Sequence, residues 1–140
     1  MLLSRFRRNK KPEDENNNKN NKKDKNREDS DDGSKEGLFK RLNKFLEKRD
    51  YMGAISLLEH KMMKNEKNNS KNNDEQLNLK LWLGYCHFHA ANYRNAKSIY
   101  EQMLGDKHCP NEVYLYLGCS FFFLGLYENA KKVAEKGEKS

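Results

Sequence analysis

An all-α solenoid of stacked helical hairpins, preceded by a disordered tail, is the fold this sequence predicts. Three observations predict it. The chain matches itself at an offset of 34 residues. The matching segments carry apolar residues at helical steps of three and four. Only short turns separate those segments. The chain has 140 residues, 28 Lys plus Arg, 21 Asp plus Glu and 35% hydrophobic content. With a mean hydropathy of -1.19, it has room for one small core and none for a large multi-lobed enzyme.

The polar excess is concentrated at the start. Residues 1–36 hold 11 basic residues, 9 acidic residues and seven Asn, with only Met1, Leu2, Leu3 and Phe6 as large apolar side chains. Such a stretch cannot bury enough surface to offset chain entropy, so it is expected to be disordered. Arg5, Arg7, Arg8, Lys10 and Lys11 precede the first acid, Glu13. This cluster could meet phosphate, anionic lipid or acidic protein, but a solvated basic start is the commoner outcome. No apolar h-region follows it, so no signal peptide is expected, and Glu13, Asp14 and Glu15 argue against a mitochondrial presequence. Three cysteines with no CxxC pair fit reduced thiols in a cytosolic compartment.

Residues 37–140 divide into three helix pairs, near 37–63, 77–105 and 111–140. In the first, Leu38, Leu42, Phe45 and Leu46 form one helical stripe, and Tyr51, Ala54, Ile55, Leu58 and Met62 form a second. Residues 64–76, KNEKNNSKNNDEQ, are polar and Asn-rich and read as a loop insertion. The second and third pairs align without a gap, 79–106 on 113–140, with nine identities. Those identities include Leu81 with Leu115, Leu83-Gly84 with Leu117-Gly118, Phe88 with Phe122, Tyr93 with Tyr127 and Ala96 with Ala130. Leu77, Leu79, Leu81 and Leu83 alternate with other residues, as do Val113, Leu115 and Leu117, which is strand spacing. A βαβα chain is therefore the alternative. Helices are preferred because the matching segment of the first pair is helical and because Gly84 and Gly118 lie mid-segment, where they would let paired helices approach closely. Gly84 is expected to nest with Ala96, and Gly118 with Ala130. The run Tyr114 to Tyr127 is apolar but falls short of the roughly 20 residues a spanning helix needs, so no membrane span is expected.

Leu83-Gly84, Phe88, Tyr93, Ala96 and Tyr100 resemble the tetratricopeptide repeat, and Leu117-Gly118, Phe122, Tyr127 and Ala130 match it again. Two departures are clear: Lys80 replaces the early aromatic, and the closing proline is displaced to Pro110. The first unit keeps chiefly Leu42, Tyr51 and Ala54. The strings KRDYMGAISLLEHK (48–61), LWLGYCHFHAANYRNA (81–96) and YLGCSFFFLGLYENA (116–130) are more specific. They are similar to the amino-terminal repeats of a tetratricopeptide subunit family of intraflagellar transport complex B. That resemblance implies a non-catalytic adaptor in cilium assembly and in transport of motility cargo. It implies partners among other complex B subunits and ciliary cargo proteins, and a location in the cilium or flagellum and at its cytoplasmic base. The third pair ends at Ser140 without a polar capping helix, so an apolar edge is expected at Tyr127, Ala130, Val133 and Ala134, and the chain reads as a fragment or truncated gene product.

Catalytic and metal chemistry find little support. Cys86, His87, His89, His108, Cys109 and Cys119 lack the paired spacing of structural zinc sites, and Cys86 and Cys119 sit in apolar helices. No Asp or Asn is placed to orient a Cys–His nucleophile pair, and there is no GxxxxGK[ST] or GxGxxG. No cofactor and no small-molecule substrate are expected. Partner binding is expected instead on a concave groove lined by first helices, with Lys40, Asn43, Lys44, Lys80, His87, Tyr114 and Phe121 as its candidate residues. A clamp for a terminal carboxylate, as in chaperone-binding repeat proteins, would use Phe39, Asn43, Trp82, Glu112 and Tyr116; only Asn43 suits it. A generic cytosolic adaptor of the same fold is the alternative function. A nucleic-acid binder ranks below it, because no aromatics are interleaved with the basic cluster.

Overall fold

The structure is a computed structural model and describes residues 34–140. The expected disorder of the tail therefore lies, except for its last three residues, outside the described residues. Within them the chain is all helical: α1 (Lys35–Glu47), α2 (Tyr51–Lys67), α3 (Asn73–His89), α4 (Tyr93–Met103), α5 (Glu112–Phe123) and α6 (Tyr127–Glu138). Each helix packs on the next, and α3 also touches α5. This is the consecutive pairing of a helical-repeat stack, and no strand occurs among the described residues.

The alternating leucines form two interleaved helical stripes. Leu79, Leu83 and Cys86, at steps of four and three, enter a core with Leu38 and Leu42 of α1 and with Ala54, Ile55, Leu57 and Leu58 of α2. Leu77 enters a second core with Ala96, Tyr100, Met103, Val113, Leu117 and Phe121, against which Leu81 and Phe88 pack. Helix α3 is thus covered on two sides, and its two stripes together imitate a period of two.

Helix boundaries follow local chemistry. Ser34, Asp50 and Asn72 cap α1, α2 and α3, each accepting a hydrogen bond from the backbone N–H three residues on, at 3.1, 2.9 and 3.3 Å. The first cap starts α1 at Lys35, two residues before the expected boundary. The expected insertion over 64–76 is also corrected, because only 68–72 lies between helices. Lys64 and Lys67 sit in the last turn of α2, and Asp74 and Glu75 in the first turn of α3, each favourable to its helix dipole. Lys61 pairs with Glu75 at 3.7 Å. The surplus residues therefore extend two 17-residue helices.

All three hairpins use one turn. Asp50, Asn92 and Leu126 donate their backbone N–H to the carbonyls of Phe45, His87 and Phe121, while the preceding residues donate to Leu46, Phe88 and Phe122. This is the Schellman pattern, which needs a left-handed residue after the helix. That residue is Arg49 (φ 54), Ala91 (φ 61) and Gly125 (φ 76). Only the third is the residue type that adopts this conformation without strain. Ala91→Gly is expected to raise stability by about 1 kcal/mol, measurable by urea denaturation.

No described helix is long and apolar enough to cross a membrane. The run Tyr114–Tyr127 breaks at Gly125, between α5 and α6.

Candidate functional site

The shared turn fixes where the aromatics go. It sets Tyr93 and Tyr127 against Phe88 and Phe122 in the last turn of their own first helices, while Tyr51 meets His89 at the end of α3. The rings then form a continuous chain along this edge of the stack. Trp82 meets Phe39 at 6.5 Å and Tyr85 at 5.6 Å between centroids. Tyr85 lies 4.2 Å from His89, which also stacks on Tyr51 at 5.3 Å. Phe88 links His89 at 5.6 Å to Phe123 at 5.4 Å. Tyr93 stacks on Phe123 at 4.9 Å. Phe122 extends the chain to Tyr127 at 5.3 Å.

The chain of rings emerges from cover as it reaches the third hairpin. Phe122, Phe123, Leu126 and Tyr127 are 57%, 56%, 44% and 62% exposed. Four adjacent large apolar side chains in water form the kind of patch that marks a protein-docking surface. Of the repeat-packing residues read from the sequence, Leu42, Ala54, Leu83, Gly84, Ala96 and Leu117 are buried, and Tyr51, Phe88, Tyr93, Gly118 and Ala130 are half-buried. Phe122 and Tyr127, which match the repeat in sequence, lie open, Tyr127 at the expected apolar edge. Helix α6 contributes no buried residue.

The expected groove residues do not gather. Lys40, Asn43 and Lys44 are exposed on α1, and Lys80 is half-buried on α3. A cavity of about 160 Å³ does lie between α1 and α3, but Lys35, Phe39 and Asn78 line it rather than the expected side chains. Phe121 is 4% exposed within the second core, with the Lys97 ammonium 5.7 Å from its ring centre. Tyr114 is turned to α6, where Gly137 lies against its Cβ. His87 is 7% exposed and belongs to the interior. These three are corrections: side chains at helical spacing on a first helix face the neighbouring helices as readily as a groove.

His87 has an electrostatic consequence. Burial lowers its pKa below 6.5, with the Glu59 charge opposing that shift, and its Nδ1 has no hydrogen-bond partner. The unfolded chain therefore binds a proton more readily than the folded one. Stability is full above about pH 6.5 and is lost as pH falls through that value and below. Chemical denaturation at pH 7.5 and at pH 5 is expected to show this loss, and His87→Gln to reduce it.

Cys86 is fully buried, and burial pushes its thiol up to about 11, against any nucleophilic role. Burial likewise raises Cys109. Among the described residues, no three His, Cys, Asp or Glu side chains are grouped to hold a metal ion. Near the opposite edge, Asp106 accepts from the His108 backbone N–H at 2.9 Å and from Asn73 at 3.1 Å. The backbone bond, then the Asn73 bond, lowers the Asp106 pKa. This arrangement shapes the α4–α5 loop.

Sequence reasoning assigned Phe122 and Tyr127 to repeat packing but also expected an apolar edge at Tyr127, Ala130, Val133 and Ala134; Tyr127 and Ala134 are exposed, and Ala130 and Val133 are half-buried.

The family model for Intraflagellar transport protein 56 matches residues 80–140, from within α3 to the last residue. The Intraflagellar transport protein 56 homolog of Caenorhabditis elegans is 38% identical over 99 residues, which is 71% of this chain and 17% of that relative. The chain thus spans 17% of the length of that curated relative. No solved structure matches it.

Proposed function

Because this chain is like Intraflagellar transport protein 56 over the helices that carry the exposed rings, we propose that it serves as a non-catalytic adaptor of the intraflagellar transport machinery. In this reading it works within complex B. Its protein partners are other complex B subunits and ciliary cargo, and its place is the cilium and the cytoplasm at the ciliary base. The observation that carries the reading is the coincidence of the family match with a helical stack exposing a connected aromatic face. Such a face docks proteins by apolar burial and ring stacking, and it needs no cofactor.

The test is to tag the endogenous protein and follow it in living cilia. Directed runs along the axoneme, and shortened or immotile cilia on its removal, are the expected results. A diffuse cytosolic signal with unaffected cilia would leave a general adaptor of the same fold.

A further inference from the structure

On the first helices, a stripe other than the expected one carries the rings. Asn78, Trp82 and Tyr85 follow one another on α3 at steps of four and three, and Glu112, Tyr116 and Cys119 hold the matching positions of α5, 34 residues on. Trp82 and Tyr85 rest on the first core from outside, as Phe39 of α1 does, and all three stay half-buried. Their rings meet edge to face, Phe39 with Trp82 at 65° and Trp82 with Tyr85 at 76°. Edge contacts of this kind leave the ring faces unstacked by one another.

The cavity between α1 and α3 lies where this stripe begins. Phe39 and Asn78 line it together with Lys35, Asp74 and Glu75, and its volume of about 160 Å³ holds a side-chain head group in place of several waters. The chain carries a net charge of +7, yet two of the three charged lining residues are carboxylates. Asp74 is exposed, and Glu75 meets Lys61 only at 3.7 Å, against about 2.7–2.9 Å for a tight charge-assisted bond. Both carboxylates are therefore free to turn to an incoming cation. The hairpins that flank the cavity, α1–α2 and α3–α4, are both complete, so the site lies within the stack and not at its α6 end. Further hairpins of a solenoid extend its axis and do not cross between existing first helices.

We propose that this acidic, ring-walled cavity binds an arginine side chain on an extended segment of another protein. The guanidinium enters beside Asp74 and Glu75 and lies against the Phe39 and Trp82 rings. It meets both demands of the site, with a planar fork of donors for carboxylates and a flat face for rings. The molecule already holds a cation over a ring elsewhere, the Lys97 ammonium 5.7 Å from the Phe121 centre. Charge complementarity selects the occupant. An acidic segment would be repelled by Asp74 and Glu75, and a second copy would bring another +7 against this one, whereas a cationic segment is drawn in. This rests on the adaptor reading above and specifies its partner as an arginine-bearing extended segment.

Trp82 is the only tryptophan of the chain, so its indole N–H resonance reports this site alone. The test titrates the 140-residue chain, followed by NMR, with acetyl-Gly-Arg-Leu-Gly amide. Two analogues carry lysine or the uncharged isostere citrulline in place of the arginine. The arginine peptide is expected to shift the Trp82 indole signal. It is expected to bind about tenfold more tightly than the citrulline peptide and about threefold more tightly than the lysine peptide. Asp74→Asn, at an exposed position that spares the fold, is expected to weaken it about threefold. Equal affinities for the three peptides, an unmoved indole signal, or an Asp74→Asn variant that binds as well would overturn the proposal. So would binding that appears only when residues 1–33 are removed, which would show the site to be filled from within the chain. The ciliary experiment judges the adaptor role separately: a protein that travels along the axoneme but ignores the arginine peptide keeps that role and loses this one.

Discussion

Tyr100→Ala is expected to cost about 3–5 kcal/mol, the range for deleting a fully buried aromatic ring. For a domain whose whole stability is about 5–15 kcal/mol, that approaches unfolding at ambient temperature. The ring is fully buried, stacks on Tyr116 at 5.7 Å and fills the space left by the missing Cβ of Gly84. Its hydroxyl contributes the other way. It is buried with no hydrogen-bond partner, and burial raises its pKa far above the ordinary tyrosine value. Tyr100→Phe removes that unpaired group and keeps the ring, so it is expected to stabilise by about 1 kcal/mol. Urea denaturation of the two variants checks both signs. Equal losses in the two would show the hydroxyl, and not the ring, to be the important part.

Gly84→Ala and Gly118→Ala are expected to have opposite signs, although both glycines follow a leucine at the same position of the repeat. In a helix interior, alanine is favoured over glycine by about 1 kcal/mol. At Gly118 the new methyl meets only the Ala130 carbonyl oxygen at 3.8 Å, so most of that gain survives. At Gly84 it would lie 2.6 Å from two ring carbons of Tyr100, a ring held on all sides. Overpacking of this kind costs about 1–3 kcal/mol, and a ring that cannot move takes the upper part of the range. A net loss near 2 kcal/mol lowers the melting temperature of a domain this size by roughly 10 °C. Placing Gly84→Ala in a Tyr100→Leu background is expected to remove most of the penalty, because the clash belongs to the pair. A melt in which both glycine variants move together would show the two sites to be equivalent.

The sequence carried the fold because each hairpin repeats its own design. Tyr51, Tyr93 and Tyr127 mark the second helices, and the offset of 34 aligns the last two pairs without a gap. Two features were harder to read. The alternation of Leu77, Leu79, Leu81 and Leu83 has the spacing of a strand, and only tertiary contacts on two sides explain it as a helix. The stretch 64–76 has the composition of a loop, yet its Lys, Glu and Gln favour helix once caps and charges are in place at the ends. The exposed surface was legible only in part: Tyr127 was expected at an open apolar edge, and Phe122 and Phe123 were not. Whether Phe121 is buried and Phe122 is open depends on a rotation of about 100° around one helix axis. Whether Tyr114 faces a groove or α6 depends on how closely Gly137 approaches. Neither quantity has a signature in residue type.

Helix α3 is the common wall of both interiors: Leu79, Leu83 and Cys86 face one, and Leu77 the other. Neither half can melt without stripping that wall on one side. Amide protons along α3 should therefore be the last to exchange with deuterium, and should leave together when the whole domain opens. A blow to Leu42 near one end and a blow to Leu117 near the other should register there alike.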